Sequence, residues 1–519
     1  MVLQMIKKHW ITAICGIILF VYFLSACTLN FSYNPSFYST DMYTDMVYAE
    51  ESWAHKSIFP DGWIFGNQLY AVATPVLAAF FYGLVGDSVV AMAVATTVMG
   101  VLVIVTFAWM VKAIFPGVQA GLLGGAIFAA LPLSFGGAVH EVAGWQLFFT
   151  MCSFYSCYAI SEFLAFGCYI RSEKKTSKEL LLPLILSGIL AFGTGVQSLR
   201  QTLIMICPLV AVEGICIFRR LWKKEVPFAN STLICLILSL CNIAGVLFAG
   251  IANIPQVEIF GKIQVLPWAE AVTKFQGSAV NALSLFGVQD KLLAVLTLLG
   301  GGFGVLILAE KLWKTENRAG ALCVLLMGIS VAGVLVLDTF TTMSVRSIYY
   351  FLLYPTAALL GVAVFSLGKW SAKALVAAVL VFLFAHGVQE KLPAVLEQAK
   401  QPLSYEETVS FLKEEGITTV FSGWNRGEGI AIYSKGSVKA AFWDSYKKPF
   451  AAVKYLCDPA GFDVDPENCA YVFLYPAEAD IAISKAAERG VELKLLKHIA
   501  AEGVYIYTAE RNLMTEKND

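Results

Sequence analysis

The sequence predicts a mostly α protein: a polytopic membrane helical bundle of about eleven transmembrane helices, with a small extracytoplasmic α/β domain at its C-terminal end. Three observations predict it. Of 519 residues, 58% are apolar or aromatic and only 14% are Asp, Glu, Lys or Arg, with a mean hydropathy of +0.69. A soluble domain carries about 25% charged residues, so this composition cannot cover a water-facing surface. The apolar residues gather in runs of roughly 18–25, the length that crosses a ~30 Å hydrocarbon core at about 1.5 Å per helical residue. Beyond about residue 388 those runs stop and charge becomes frequent. A soluble enzyme, a disordered linker and a nucleic-acid binder are excluded, and a net charge of -1 offers no field for polyanions.

The spans fall at about 10–28, 88–111, 119–133, 145–169, 180–197, 202–218, 231–254, 292–309, 319–337, 348–367 and 374–387. A further apolar stretch at about 67–85 opens with Asn67-Gln68 and contains Pro75. Short Lys/Arg-rich loops belong in the cytoplasm. Those loops are Lys7-Lys8, Arg171 to Lys178, Arg219 to Lys224, Lys311 to Arg318, and Lys369 with Lys373. With Met1 inside, Arg171 returns inside only if one early segment does not cross. The 67–85 stretch fits a helix lying along the interface, and the short 119–133 run is the alternative. Either way His140 and Glu141 are outside, and the chain ends outside. An apolar run ending in Leu24-Ser25-Ala26-Cys27 resembles a lipoprotein signal, but the polytopic composition downstream favours a retained first span. In the tail, strand-like runs (Thr418 to Phe421, Ala470 to Tyr475, Gly503 to Tyr507) alternate with helix-like ones (Tyr405 to Glu415, Ala477 to Arg489). Most Cys lie in apolar runs and act as small hydrophobes, while Cys457 and Cys469 stand in a polar region where an oxidising compartment would let them pair.

The scarce polar groups gather at the outer boundary. From Asp41 to Asp61 the first outer loop holds Asp41, Asp45, Glu50, Glu51 and Asp61 against Lys56, interleaved with Tyr43, Tyr48, Trp53 and then Trp63 and Phe65. One reading is a carboxylate base among aromatic platforms; the other is a solvated acidic loop with an aromatic belt. His140-Glu141, Arg200 and Arg346 lie at outer helix ends. Arg is unexpected outside, and its planar fork suits a lipid phosphate, although an interfacial anchor is the plainer reading. Glu162 and Glu213 lie toward cytoplasmic helix ends and read as structural. The Gly300 to Gly302 and Gly121 to Gly125 runs read as helix packing rather than nucleotide loops.

DMVYAEESW followed by FPDGWIFGNQLYAVATP, then ALPLSFGGAVHE and VRSIYYFLLYP, resemble the GT-C superfamily of polyprenyl-phosphate-sugar-dependent glycosyltransferases. That family includes protein O-mannosyltransferases and the aminoarabinose transferase of lipid A. The tail FSGWNRGEGIAIYSKGSVKAAFWD resembles small domains appended to some bacterial members. The resemblance implies a GT-C-like transmembrane domain over 1–387, with the outer loop and a juxtamembrane helix at about 30–87, and an extracytoplasmic domain over 388–519. It implies a multi-pass enzyme, most naturally of the bacterial plasma membrane, that moves a sugar from a polyprenyl-phosphate donor to an extracytoplasmic glycan, lipid or protein hydroxyl with inversion. Membrane lipids are partners and nucleic acid is not. Asp45 or Asp41 would be the base, Glu141 and His140 would orient the acceptor or support that base, and Arg200 and Arg346 would hold the leaving phosphate, with Glu50 and Trp63 in the substrate-contacting set. Many relatives carry an adjacent Asp-Glu pair in this loop, whereas Met46 follows Asp45 and Met42 follows Asp41, so both Asp stay candidates. No cofactor is called for, and a divalent metal is left open. The competing class is a secondary transporter or lipid flippase, which would place charge near the midplane and show two related halves. A lipid-binding assembly protein is a third option.

Overall fold

In the computed structural model, which describes residues 2–31, 40–135, 152–172, 177–257, 263–343, 345–393, 397, 405–423, 427–444 and 448–515, helices dominate the first three quarters of the chain. They are α1 (Val2–Phe31), α2 (Thr40–Ala54), α3 (Thr74–Val85), α4 (Ser88–Ile114), α5 (Val118–Phe135), α6 (Cys152–Arg171), α7 (Ser177–Gln197), α8 (Cys207–Trp222), α9 (Asn230–Ala252), α10 (Trp268–Leu283), α11 (Lys291–Lys314), α12 (Arg318–Phe340), α13 (Leu353–Leu367) and α14 (Trp370–His386). Among the described residues nine helices are long and apolar enough to cross a membrane, and the chain is a multi-pass membrane protein.

Local chemistry explains the boundaries. Gly86 closes α3 in the left-handed region (φ +69°), and the Asp87 carboxylate caps α4 by accepting from the amides of Val89 and Val90, both at 3.1 Å. The twelve residues of α3 span about 18 Å, short of a ~30 Å hydrocarbon core. Asn317 caps α12 through the Gly320 amide and donates to the Ile114 carbonyl at 2.7 Å, joining the ends of two spans.

Because lipid is as apolar as Leu, packing in the bundle rests on close fit. Phe107, Phe128 and Phe163 meet edge to face at 5.0–6.4 Å in its core. Gly121 and Gly124 let α5 approach Ala108 and Val111 of α4, as their packing reading requires. A Cβ on Gly300, Gly301 or Gly302, by contrast, would meet no described neighbour within 4 Å, whereas one on Gly304 would touch Leu360.

α7 and α9 cross most tightly. A Cβ on Gly195 would overlap the Asn242 carbonyl and one on Gly245 the Phe192 carbonyl, while the buried Asn242 side chain donates to the Ala191 carbonyl at 2.9 Å. Gly245→Ala is therefore expected to cost about 1–3 kcal/mol by overpacking. Melting of the detergent-purified protein checks this: an unchanged transition would show that the crossing can yield.

The C-terminal part holds a six-stranded sheet: β1 (Thr419–Gly423), β2 (Lys439–Asp444), β3 (Lys448–Ala452), β4 (Cys469–Phe473), β5 (Lys494–Ile499) and β6 (Val504–Thr508), in the order β3-β2-β1-β4-β6-β5. β1 runs parallel to both β2 and β4, and the outer pairs are antiparallel. Alternation sends Val420 to one face with Val409 and Leu412 of α15 (Glu406–Glu414), and Phe421 to the other with Ala479, Ala482 and Ala486 of α17 (Pro476–Glu488). The result is an α/β layer with helices on both faces. Cys457 and Cys469 are buried; each donates its thiol to a local carbonyl, Val453 and Pro466 respectively, and they are not bonded to each other.

This layer is seated on the first helices. Ile432 of α16 (Gly427–Tyr433) enters the cluster of Met42, Tyr43, Met46 and Ala49 from α2. The Ile64 amide donates to the Cys457 carbonyl (3.0 Å) and the Leu456 amide to the Ile64 carbonyl (2.6 Å). One residue on, Phe65 exchanges bonds with Pro255 and Val257, both at 2.9 Å, so residues 64–65 are held from two sides.

Candidate functional site

α2 turns the acidic stretch read as a loop into a helix. Asp45, Tyr48 and Ser52, at i, i+3 and i+7, share one face and are all buried, Asp45 at 0% exposure. An acidic loop in solvent would leave that carboxylate wet, so the solvated reading fails at Asp45. Tyr48 donates to the Ile58 carbonyl at 2.7 Å, and its ring meets Tyr70 at 4.9 Å, Trp63 at 5.8 Å and Phe65 at 5.9 Å. Burial pushes the Tyr48 phenol above its ordinary range; a hydrogen bond with Ser52 opposes this and the Asp45 charge adds to it. Asp41 lies one turn before Asp45 on the same helix, and its side chain is outside the described residues.

Glu50 is half-buried and shares with Trp63, Thr44, Lys439 and Asp458 the wall of a cavity of about 160 Å³ between α2 and the C-terminal layer. Trp63 is 2% exposed, and its indole N–H has no acceptor among the described residues. Burial raises the Glu50 carboxyl above the usual carboxylate range; a hydrogen bond with Ser88 pulls it down, and the nearby Glu51 and Asp87 push it up again. The folded state thus resists ionising a group that the unfolded chain ionises readily, and stability falls as pH rises from the ordinary Glu value toward the folded one. Glu50→Gln is expected to raise the melting temperature above about pH 5. Melting curves from pH 4 to 8 decide it, and a lower transition for the Gln variant across that range would refute the burial argument.

The second centre forms where α7 gives way to α8. The chain widens into a π turn over Thr202–Ile206, just before Pro208. Proline has no N–H for the Ile204 carbonyl, and the Ser330 hydroxyl of α12 fills that role at 2.8 Å. Arg200 sits on the first part of this break, its amide donating to the Ser198 hydroxyl. Its guanidinium carbon lies 5.1 Å from the ring centre of Tyr155, 5.4 Å from Tyr158 and 5.2 Å from Tyr349. It hydrogen-bonds Tyr155, and among the described residues no carboxylate pairs with it. Three π faces hold the cation, and the described residues leave its charge uncompensated and most of its five N–H donors available.

Lys274 is the contrast. Its ammonium meets Asp338 at 3.4 Å and the carbonyls of Thr341 and Met343 at 3.0 Å. Asp338 also accepts from Asn281 (3.2 Å) and Tyr350 (2.9 Å), so this pair fastens the segment that carries Arg346 and Tyr349. Arg346 itself is exposed and precedes Tyr349 by three residues, which places it on the segment that also closes the Arg200 cage.

Residues 66–74 join the two centres. Gln197 accepts from the amides of Ala71 (3.3 Å) and Val72 (2.8 Å), its carbonyl accepts from Leu69, and Tyr158 donates to Gln68 at 3.2 Å. Tyr70 of the same segment touches Tyr48. His140 and Glu141 lie outside the described residues. Among the described residues no three His, Cys, Asp or Glu side chains stand together as a metal site.

Tyr155 and Tyr158 escaped the sequence reading because they sit within a run counted only as apolar. Their i, i+3 spacing, set against the polar break Gln197-Ser198-Leu199-Arg200-Gln201, was the available sign. Of the two buried acids read as structural, Glu213 is held by Arg220 at 3.0 Å and by Thr232 at 2.6 Å. Glu162 is fully buried with no hydrogen-bond partner among the described residues.

No family model and no curated protein matches the sequence. Solved structures do match. ArnT from Cupriavidus metallidurans in its apo state aligns over 99% of this chain and 100% of its own, with a TM-score of 0.54 at 10% identity. The same protein bound to undecaprenyl phosphate aligns over 98% and 100%, with a TM-score of 0.52 at 10% identity. An Archaeoglobus fulgidus oligosaccharyltransferase tethered to an acceptor peptide is looser, with a TM-score of 0.47 at 11% identity over 91% of this chain and 70% of its own. The likeness to ArnT is one of fold, and the expected fold, a polytopic helical bundle with a small C-terminal α/β layer, is shared with it over nearly the whole chain.

Proposed function

We propose that this protein is a GT-C-type glycosyltransferase that moves a sugar from a polyprenyl-phosphate donor to an extracytoplasmic hydroxyl with inversion. The observation that carries this reading is Arg200, a half-buried guanidinium held by three tyrosines and, among the described residues, by no acid. Such a group suits a phosphate: the site binds an anion without first having to break an ion pair. That ArnT shares this fold and binds undecaprenyl phosphate supports the same class of donor.

Asp45 or Asp41 takes the proton of the acceptor hydroxyl, whose oxygen attacks the anomeric carbon from the face opposite the phosphate. The bond from that carbon to the phosphate oxygen breaks, and the polyprenyl phosphate leaves with its charge held by Arg200 and Arg346. Glu141 and His140 orient the acceptor, and Glu50 and Trp63 contact it beside α2. The N-terminus is cytoplasmic in this scheme, and the domain over 388–519 is extracytoplasmic and closes over α2, where Ile432 packs. A transporter reading has less support, since Arg200 lies just past the end of α7 and not at a midplane site between two repeats.

The test is transfer itself. Proteoliposomes given a radiolabelled polyprenyl-phosphate sugar and membrane extract as acceptor should release polyprenyl phosphate and label the extract together. Movement of intact donor across the bilayer without cleavage would replace this proposal with the flippase reading.

A further inference from the structure

At the end of the bundle opposite Arg200, helices α6, α8, α9, α11 and α12 enclose a second cavity, of about 500 Å³. The two ends of α12 lie roughly 33 Å apart, at 1.5 Å for each of its 23 residues, so this cavity is separate from the site already described. Its floor is neutral. Arg220 meets Glu213 at 3.0 Å, the Pro227 carbonyl at 3.0 Å and Thr232 at 3.1 Å, and Tyr169 donates to the same carboxylate.

The walls are not neutral. Among the described residues, Arg219, Lys223 and Arg318 line the cavity against one acid, Glu225. Arg219 lies over the Trp313 ring at 4.8 Å, and no acceptor among the described residues takes its N–H groups. Arg318 meets the exposed Glu316 through one terminal nitrogen at 2.8 Å, while its Nε is buried without an acceptor among the described residues. The amino end of α9, at Ala229 and Asn230, opens into the same space and adds the positive end of a 23-residue helix. Phe228, 71% exposed, lines the cavity, and Trp222 and Val226, adjacent in sequence to the lining residues Lys223 and Glu225, are 80% and 78% exposed. A cationic cup beside a hydrophobic rim at a membrane boundary matches a molecule with a phosphate and acyl chains, because water alone would leave those three side chains wet.

We propose that this cavity binds the phosphodiester headgroup of an anionic phospholipid, with Arg219, Lys223 and Arg318 on the phosphate and Trp222 and Phe228 against the chains. Under the positive-inside orientation it faces the cytoplasmic leaflet, where anionic lipid is the phosphate within reach. The shared chemistry is a phosphate anion, and a free phosphate is the other source to exclude.

Delipidated full-length protein in a neutral detergent, titrated with phosphatidylglycerol and read by native mass spectrometry, tests this. One lipid should bind with preference over phosphatidylcholine, and affinity should fall about fivefold for each cation removed in Arg219→Gln and Arg219→Gln/Lys223→Gln. Arg219→Lys, which keeps the charge, should lose less and guards against a folding defect in the double variant. Equal binding of phosphatidylcholine, or undiminished phosphatidylglycerol binding by a folded double variant, overturns the proposal. Displacement of phosphatidylglycerol by inorganic phosphate at equal concentration would also overturn it, by assigning the cup to a soluble anion.

Discussion

Asp45→Asn is expected to lower sugar transfer by about 10²- to 10⁴-fold, the usual contribution of a positioned general base. Asn keeps the shape of the side chain but cannot take a proton, so donor binding should persist while turnover falls. Asp45 has a defined place on the helix. It is 0% exposed on α2, one turn from Tyr48, whose ring is packed by Trp63, Phe65 and Tyr70. Burial keeps bulk water from competing for the proton and holds the carboxylate to one geometry. Transfer assayed in membranes, with melting of the purified variant as a folding control, gives the result. Loss of turnover in Asp41→Asn alone would move the base one turn earlier; full activity in both variants would remove a carboxylate base from this helix.

Composition and periodicity brought the bundle within reach. Eleven apolar runs and the changed texture after 388 follow from two rules, bilayer thickness and the positive-inside bias, that act on each segment separately. What escaped needs contacts between segments. α10, with Trp268, Glu270, Lys274 and Gln276 in its first three turns, is amphipathic and too polar and short to read as a span, yet its Lys274 and Asn281 fasten the loop that carries Arg346. The first outer loop showed acids and aromatics in number, but that Asp45 is buried while Glu51 is only partly so depends on which face of α2 the neighbouring helices and Ile432 cover. Arg200 was legible as an Arg in the wrong place. Its meaning came from Tyr155 and Tyr349, residues from two other segments that no local pattern connects to it. The same limit holds for the interface at Ile64 and Cys457, a backbone pairing between residues almost four hundred positions apart.

Arg200→Ala is expected to reduce transfer by about 10²- to 10³-fold, the range seen when a preorganised donor to a developing anion is removed. The reason is electrostatic. A guanidinium held by π faces in a setting of low dielectric interacts with a phosphate far more strongly than one that is already neutralised by a carboxylate or surrounded by water. Arg200→Lys retains the charge as a point and loses the bidentate fork, so it should recover part of the rate and not all of it. An interfacial anchor would behave otherwise: Lys anchors as well as Arg, and neither variant would alter affinity for polyprenyl phosphate lacking its sugar. Measuring that affinity beside kcat separates the two roles. A phosphate ligand requires weaker product binding and slower turnover in Arg200→Ala. Tyr349→Phe, which preserves the ring and removes only the hydroxyl, should fall between wild type and Arg200→Lys, since the cage acts through its π face. Arg346→Ala, an exposed cation on the same segment, should cost less than Arg200→Ala because solvent screens it. The reverse order would place the leaving phosphate at Arg346 and leave the tyrosine cage without a catalytic task.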